Sequence, residues 1–176
     1  MQALHSWLAF FAVASVSVAA PAQRPGGLQS AAAGDIAAAV TDCWNAVRIG
    51  AVDREKLEAV GWKVATASDG KGKALAMPIA LYGKSGSNAL IMLPGPTPAI
   101  SICSVMASVQ SPPDIGKAIG TIQRALIALD PQVKTARSGT GIAFLALPRV
   151  AMADVTGTKE KPGLRIVVGY QNPEKK

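Results

Sequence analysis

The sequence predicts an α+β domain: an antiparallel sheet of about six to seven strands in two meanders, with two main helices and one short helix packed on one face. Three observations carry this. Apolar residues recur every three or four positions in two segments, around residues 36–47 and 115–129, as one buried helix face requires. Elsewhere the apolar period falls to two, the period of a strand. The strand-like runs are joined by short turns rich in Gly, Pro, Ser and Asn, and short turns make antiparallel neighbours. Helices before and between such runs form a layer over the sheet.

Residues 1–22 read as a secretory signal peptide. The apolar run from Trp7 to Ala20 is broken only by Ser15 and Ser17. It is shorter than the ~20 apolar residues that span a membrane. Ala20-Pro21-Ala22 fits the A-x-A cleavage pattern, with the cut after Ala22. The segment before the run has no Lys or Arg, which leaves an uncleaved anchor as the alternative. No later stretch is long and apolar enough to span a bilayer as a helix. The expected product is exported, to the periplasm or the medium. Residues 23–34 read as a flexible leader, 35–170 as a single domain and 171–176 as a disordered tail.

The two cysteines, Cys43 and Cys103, form an even count in an exported chain and predict a disulfide. Closing a loop of about 60 residues stabilises a fold by roughly 4 kcal/mol in the chain-entropy model.

The first helix is expected from Asp35 to Ile49, with Ile36, Val40, Cys43 and Val47 on its buried stripe and Gly50 as its stop. A short second helix is expected from Asp53, as N-cap, to Val60, ended by Gly61. Lys63–Ala67 reads as a strand and Ser68–Gly72 as a turn. Leu75, Met77, Ile79 and Leu81 alternate along the next strand, where Pro78 argues for an edge or a bulge. Gly83–Asn88 is a turn, Ala89–Leu93 a strand, Pro94–Pro98 a rigid turn and Ile100–Val109 the longest strand. Cys103, Val105, Ala107 and Val109 share one of its faces.

The third helix has the clearest pattern. Ser111-Pro112-Pro113-Asp114 resembles a capping box with prolines in the first turn. Ile115, Ile119, Ile122, Leu126 and Leu129 form the stripe, and Asp130-Pro131 stops the helix. Strands follow at Val133–Arg137, Ile142–Leu147 and Leu164–Tyr170, with Met152–Gly163 as a polar loop. Both halves read helix-then-strands, but their lengths and spacings differ, so no internal repeat is assigned.

The chemistry is constrained mainly by what is missing. The single histidine, His5, lies inside the signal, so cleavage leaves a chain without imidazole. That excludes Ser-His-Asp and Cys-His nucleophile activation and His-containing zinc or haem sites. Two cysteines cannot make a three- or four-thiolate zinc site, and their spacing is not C-x-x-C.

Three suggestive strings read as turns. Gly83-Lys84-Ser85 mimics the end of a phosphate-binding loop but lacks the upstream Gly, since Pro78 stands there. Ser68-Asp69-Gly70-Lys71 matches S-x-x-K without its companion elements. Gly139-Thr140-Gly141 is a hairpin turn. Glu55 and Glu58 lie among Arg54 and Lys56 as a solvated helix face. No catalytic, cofactor or metal residue is assigned.

Charge is uneven: residues 24–130 carry 10 basic and 8 acidic side chains, residues 131–176 carry 8 and 3. A basic last third favours an anionic surface or acidic protein as partner. Dispersed cations without interleaved aromatics argue against nucleic acid. The expected function is an exported, non-enzymatic binding or interaction module. The loops Pro94–Pro98 and Met152–Gly163 are its candidate contact surfaces. The alternatives are a His-independent hydrolase-type enzyme and a structural subunit of an envelope assembly.

Overall fold

The computed structural model describes residues 28–65, 78–95, 101–139 and 141–171. The signal segment, the Ser68–Gly72 turn, Pro96–Pro98 and the last five residues lie outside this range, as do Leu75 and Met77.

The chain opens with helix α1 (Ala33–Ala46), a small hairpin β1 (Val47–Arg48) and β2 (Ala51–Val52), and helix α2 (Arg54–Ala59). A first meander follows: β3 (Trp62–Ala65), β4 (Ile79–Lys84), β5 (Leu90–Pro94) and β6 (Ile102–Ser108). Helix α3 (Pro112–Leu129) leads into a second: β7 (Lys134–Ser138), β8 (Gly141–Ala146), β9 (Arg149–Gly157) and β10 (Pro162–Tyr170). The two meanders join into one eight-stranded sheet ordered β3-β4-β5-β6-β10-β9-β8-β7, in which every neighbouring pair is antiparallel. The α+β class and the two meanders stand as the sequence predicts, with eight strands rather than six or seven.

Both main helices lie on the same face of this sheet. From α1, Ile36, Val40, Cys43 and Trp44 are buried against β5, β6 and β10. Helix α3 packs along α1 and onto β10. The sheet answers with Ile91 and Leu93 from β5, Cys103, Val105 and Ala107 from β6, and Leu164, Ile166 and Val168 from β10. Phe144, Ala151 and Ala153 extend the core under β8 and β9. Each fully buried large apolar side chain contributes about 1.5–3 kcal/mol over its exposed state. Cys43 and Cys103 are bonded, their Cα atoms 5.6 Å apart, so the staple ties α1 to β6 from inside the core.

Several sequence expectations are corrected. Helix α1 ends at Ala46, not Ile49, because Val47↔Val52 and Arg48↔Ala51 pair as a hairpin. Gly50, at φ 72°, makes the tight reversal that a side chain would oppose. The Arg48 guanidinium pairs with Asp53 beside this hairpin. Val47 continues the apolar stripe while already extended, so spacing alone could not show the boundary. Ser30 bridges to Ser108 in parallel, and α1 starts at Ala33, two residues earlier than expected.

Pro78 lies outside the ladder: β4 begins at Ile79, paired with Pro94, and is an inner strand rather than an edge. The stripe of α3 runs through Ala118, Ile122 and Leu126, with Ile115 and Ile119 partly buried and Leu129 exposed. Ser111 is the N-cap by conformation, but its hydroxyl donates to the Asp114 carboxylate at 2.5 Å instead of accepting from the backbone. Pro112 and Pro113 offer no N–H, and the Asp114 amide is taken by the Ser111 carbonyl at 3.0 Å.

The largest correction concerns Met152–Gly163, expected to be a polar loop. Most of it is strand: β9 and β10 pair from Pro162↔Gly157 to Tyr170↔Arg149 around a four-residue turn, 158–161. Asp154 and Thr156 lower the strand propensity of this segment, yet they face away from the core while Ala151 and Ala153 face into it. Gly157, at φ 79°, closes the turn where a Cβ would collide with the Lys161 carbonyl.

The disulfide links positions 60 apart in sequence and should raise stability by roughly 4 kcal/mol. The Cys43→Ala/Cys103→Ala double variant should unfold at a lower denaturant midpoint by that amount. Unfolding the native protein with a strong reductant present should reproduce the same shift.

Candidate functional site: the open face of the sheet

Register assigns a second set of side chains to the face opposite the helices. On β4 these are Ile79 and Leu81, and on β5 Leu90 and Met92. On β6 they are Ile102, Ser104 and Met106, which pair with Gly169, Val167 and Arg165 of β10. The second meander adds Val150, Met152 and Asp154 from β9, and Ala143 and Leu145 from β8. None of these residues belongs to the hydrophobic core cluster on the helix side.

Among the described residues no helix or strand packs over this face. Ile79, Ile102 and Met152 are 38–39% exposed, while most of the others are half-buried by their neighbours in the sheet. The surface is therefore broad and mainly apolar. A sheet covered on one side ordinarily alternates apolar-in and polar-out, whereas runs apolar at both parities belong to strands covered on both faces. Here β5 reads LIMLP and β8 reads GIAFLA, apolar at both parities. Contiguous exposed apolar patches of this kind mark interaction sites.

The charged exceptions are few. Arg165 and Asp154 stand directly opposite each other across β10 and β9, near the middle of the face. The Asp154 carboxylate leans over Gly141, which has no side chain to oppose it, and forms no ion pair with Arg165. Lys63 and Lys134 lie on the same face, but on the two edge strands β3 and β7.

Two polar clusters lie elsewhere. Trp62 donates its indole N–H to Asp42 at 2.8 Å, Lys84 approaches the same carboxylate at 3.6 Å, and the Lys84 ammonium stands 5.6 Å from the Trp62 ring centre. This cluster holds β3 and β4 against α1. It also accounts for Lys84 of the Gly83-Lys84-Ser85 string, which sits at a strand end before a turn. Burial pushes the nearby Tyr82 phenol above its ordinary value, with Arg54 drawing it back and Glu58 adding a small rise. At the start of α3, Asp114 accepts from Ser111 and pairs with Lys117 at 2.9 Å beside a cleft of about 340 Å³ lined by residues 30–33 and 109–110. The Ser111 hydroxyl, then Lys117, hold the Asp114 carboxyl below its ordinary range.

The remaining sequence candidates disperse. Asp53 caps α2 by accepting from the Lys56 amide at 3.3 Å, and Glu55 and Glu58 are exposed on α2. Ser68 and Lys71 lie outside the described residues. The cations of the last third are scattered: Lys134 and Arg137 point to opposite faces of β7, Arg165 is on the open face, and Lys159 and Lys161 are in the 158–161 turn. Among the described residues no group of three or more His, Cys, Asp or Glu side chains is placed to hold a metal ion. No protein-family model, curated protein or solved structure matches the chain.

The Asp114 contact has a defined pH signature. A carboxyl held low in the folded state contributes stability above its unfolded pKa of about 3.9, and that contribution is lost as pH falls through the folded value. Ser111→Ala should move the Asp114 titration upward, toward the ordinary carboxyl value, in an NMR titration of the side-chain carboxyl.

Proposed function

We propose that this protein is an exported, non-enzymatic interaction module whose working surface is the open face of its sheet. The supporting observation is the side-chain set on that face: Leu81, Met92, Met106, Leu145, Val150 and Val167 form one apolar surface outside the core. Its extent and chemistry suit a protein partner better than an anionic polymer. The cations that would recognise such a polymer are scattered, and the continuous feature is apolar. The disulfide between α1 and β6 and the signal-like first 22 residues support export to an oxidising compartment.

Two measurements test this reading. The intact mass of the exported protein should correspond to a chain beginning at Gln23 with both sulfurs oxidised. A full-length mass, or two thiols that react in the native state, would overturn the export part. In native size fractionation of the envelope or medium, the protein should run above the size of one chain. Val167→Glu, which places a charge at the centre of the face without touching the core, should return it to one chain. Migration as a single chain before substitution would overturn the interaction part.

A further inference from the structure

We propose that the occupant of the open face is a second copy of this chain, joined face to face into a four-layer assembly of helices, sheet, sheet and helices. The inference rests on the preceding reading of that face as an interaction surface and names its partner.

Area is the first argument. Strands lie about 4.8 Å apart and rise about 3.4 Å per residue, so each residue occupies about 16 Å² of sheet. The strands β5, β6, β10, β9, β8 and β7 then present about 650 Å² per copy, about 1,300 Å² for a pair. Stable, specific interfaces bury about 1,200–2,000 Å² in total.

Charge is the second. A two-fold interface needs a surface complementary to itself. Arg165 and Asp154 are neighbours across β10 and β9, opposite in sign, and not paired with each other within the chain. A second copy related by a two-fold axis lying between β9 and β10, along the strands, sets each Arg165 over the other copy's Asp154. The same operation lays β8 over β6 and β7 over β5, so Leu145 and Ala143 meet the face that carries Ile102 and Met106. Strands β3 and β4 extend past the overlap. Aligned sheets pack in this manner about 10 Å apart with their strands within about 30°.

The experiment is sedimentation of the purified protein, obtained by expressing the full chain, across micromolar to ~100 µM concentrations. The native protein should sediment as two chains. Arg165→Asp and Asp154→Arg should each weaken association at least tenfold, and the combined swap should restore it, because reciprocal pairs are rebuilt with their signs exchanged. Far-ultraviolet circular dichroism and a retained disulfide will show that each variant is folded. A native protein that stays a single chain at ~100 µM overturns the proposal. If Val167→Glu still abolishes its larger native form, the interaction reading survives with a different partner. A dimer insensitive to both single charge changes, or not restored by the swap, also overturns the proposed pairing.

Discussion

The fold depends on one ladder. Each meander supplies four strands, and among the described residues the two join in the sheet where β6 pairs with β10, from Ile102↔Gly169 to Ser108↔Gly163. That seam would be weak if its side chains were wet. Instead Val105 and Ile166, paired at its middle, are fully buried beneath α1 and α3. The disulfide enters the seam strand itself at Cys103, so the helix that covers the junction is covalently held to it. Loss of α1 would uncover both meanders together, which makes this sheet a single cooperative unit and not two halves in contact.

The same seam defines the opposite surface. On its far side Ser104 pairs with Val167 and Met106 with Arg165, at the centre of the open face. Packing by α1 and α3 braces the ladder from behind, and a preorganised surface loses little conformational entropy when something docks on it. The core-facing and open surfaces are thus two sides of one set of backbone hydrogen bonds. Edge strands β3 and β7 are short, and β7 carries Lys134 and Arg137, which discourages pairing at the sheet margin. With the margin guarded, the proposed association is directed to the face and not to the sheet edges.

Much of this was legible in the sequence because period and punctuation agreed. The Ile122/Leu126 part of the α3 stripe, the Ser111-Pro112-Pro113 entry and the Cys103/Val105/Ala107 alternation each follow from local chemistry and have their counterpart in the fold, while Leu129, read as the end of that stripe, is exposed. Strand β9 was not legible. Its Asp154 and Thr156 look like loop residues until β10 is in register beside them, and register is a tertiary property. The boundary at Val47 was hidden because an apolar residue can finish a helix stripe and start a hairpin with equal effect. The open face does leave a signal in the sequence. Residues of both parities are apolar in β5 and β8, which departs from the alternation usual for a sheet with helices on one face and water on the other.

The basic character of the chain bears on that face through its placement. A net charge of +7 keeps copies apart at a distance, yet the surface that would bring them together is nearly free of it. On the open face the central charges, Arg165 and Asp154, cancel, and Lys63 and Lys134 sit on the outermost strands. Arg48, Arg54, Lys56, Lys117 and Arg124 belong to the helical layer and its flanking hairpin, on the other side of the sheet. Charges separated by a sheet and a core lie beyond the ~8 Å over which physiological salt lets them act. Repulsion between copies therefore falls mainly on approaches through the helical side, and the apolar side is left as the face on which contact costs least.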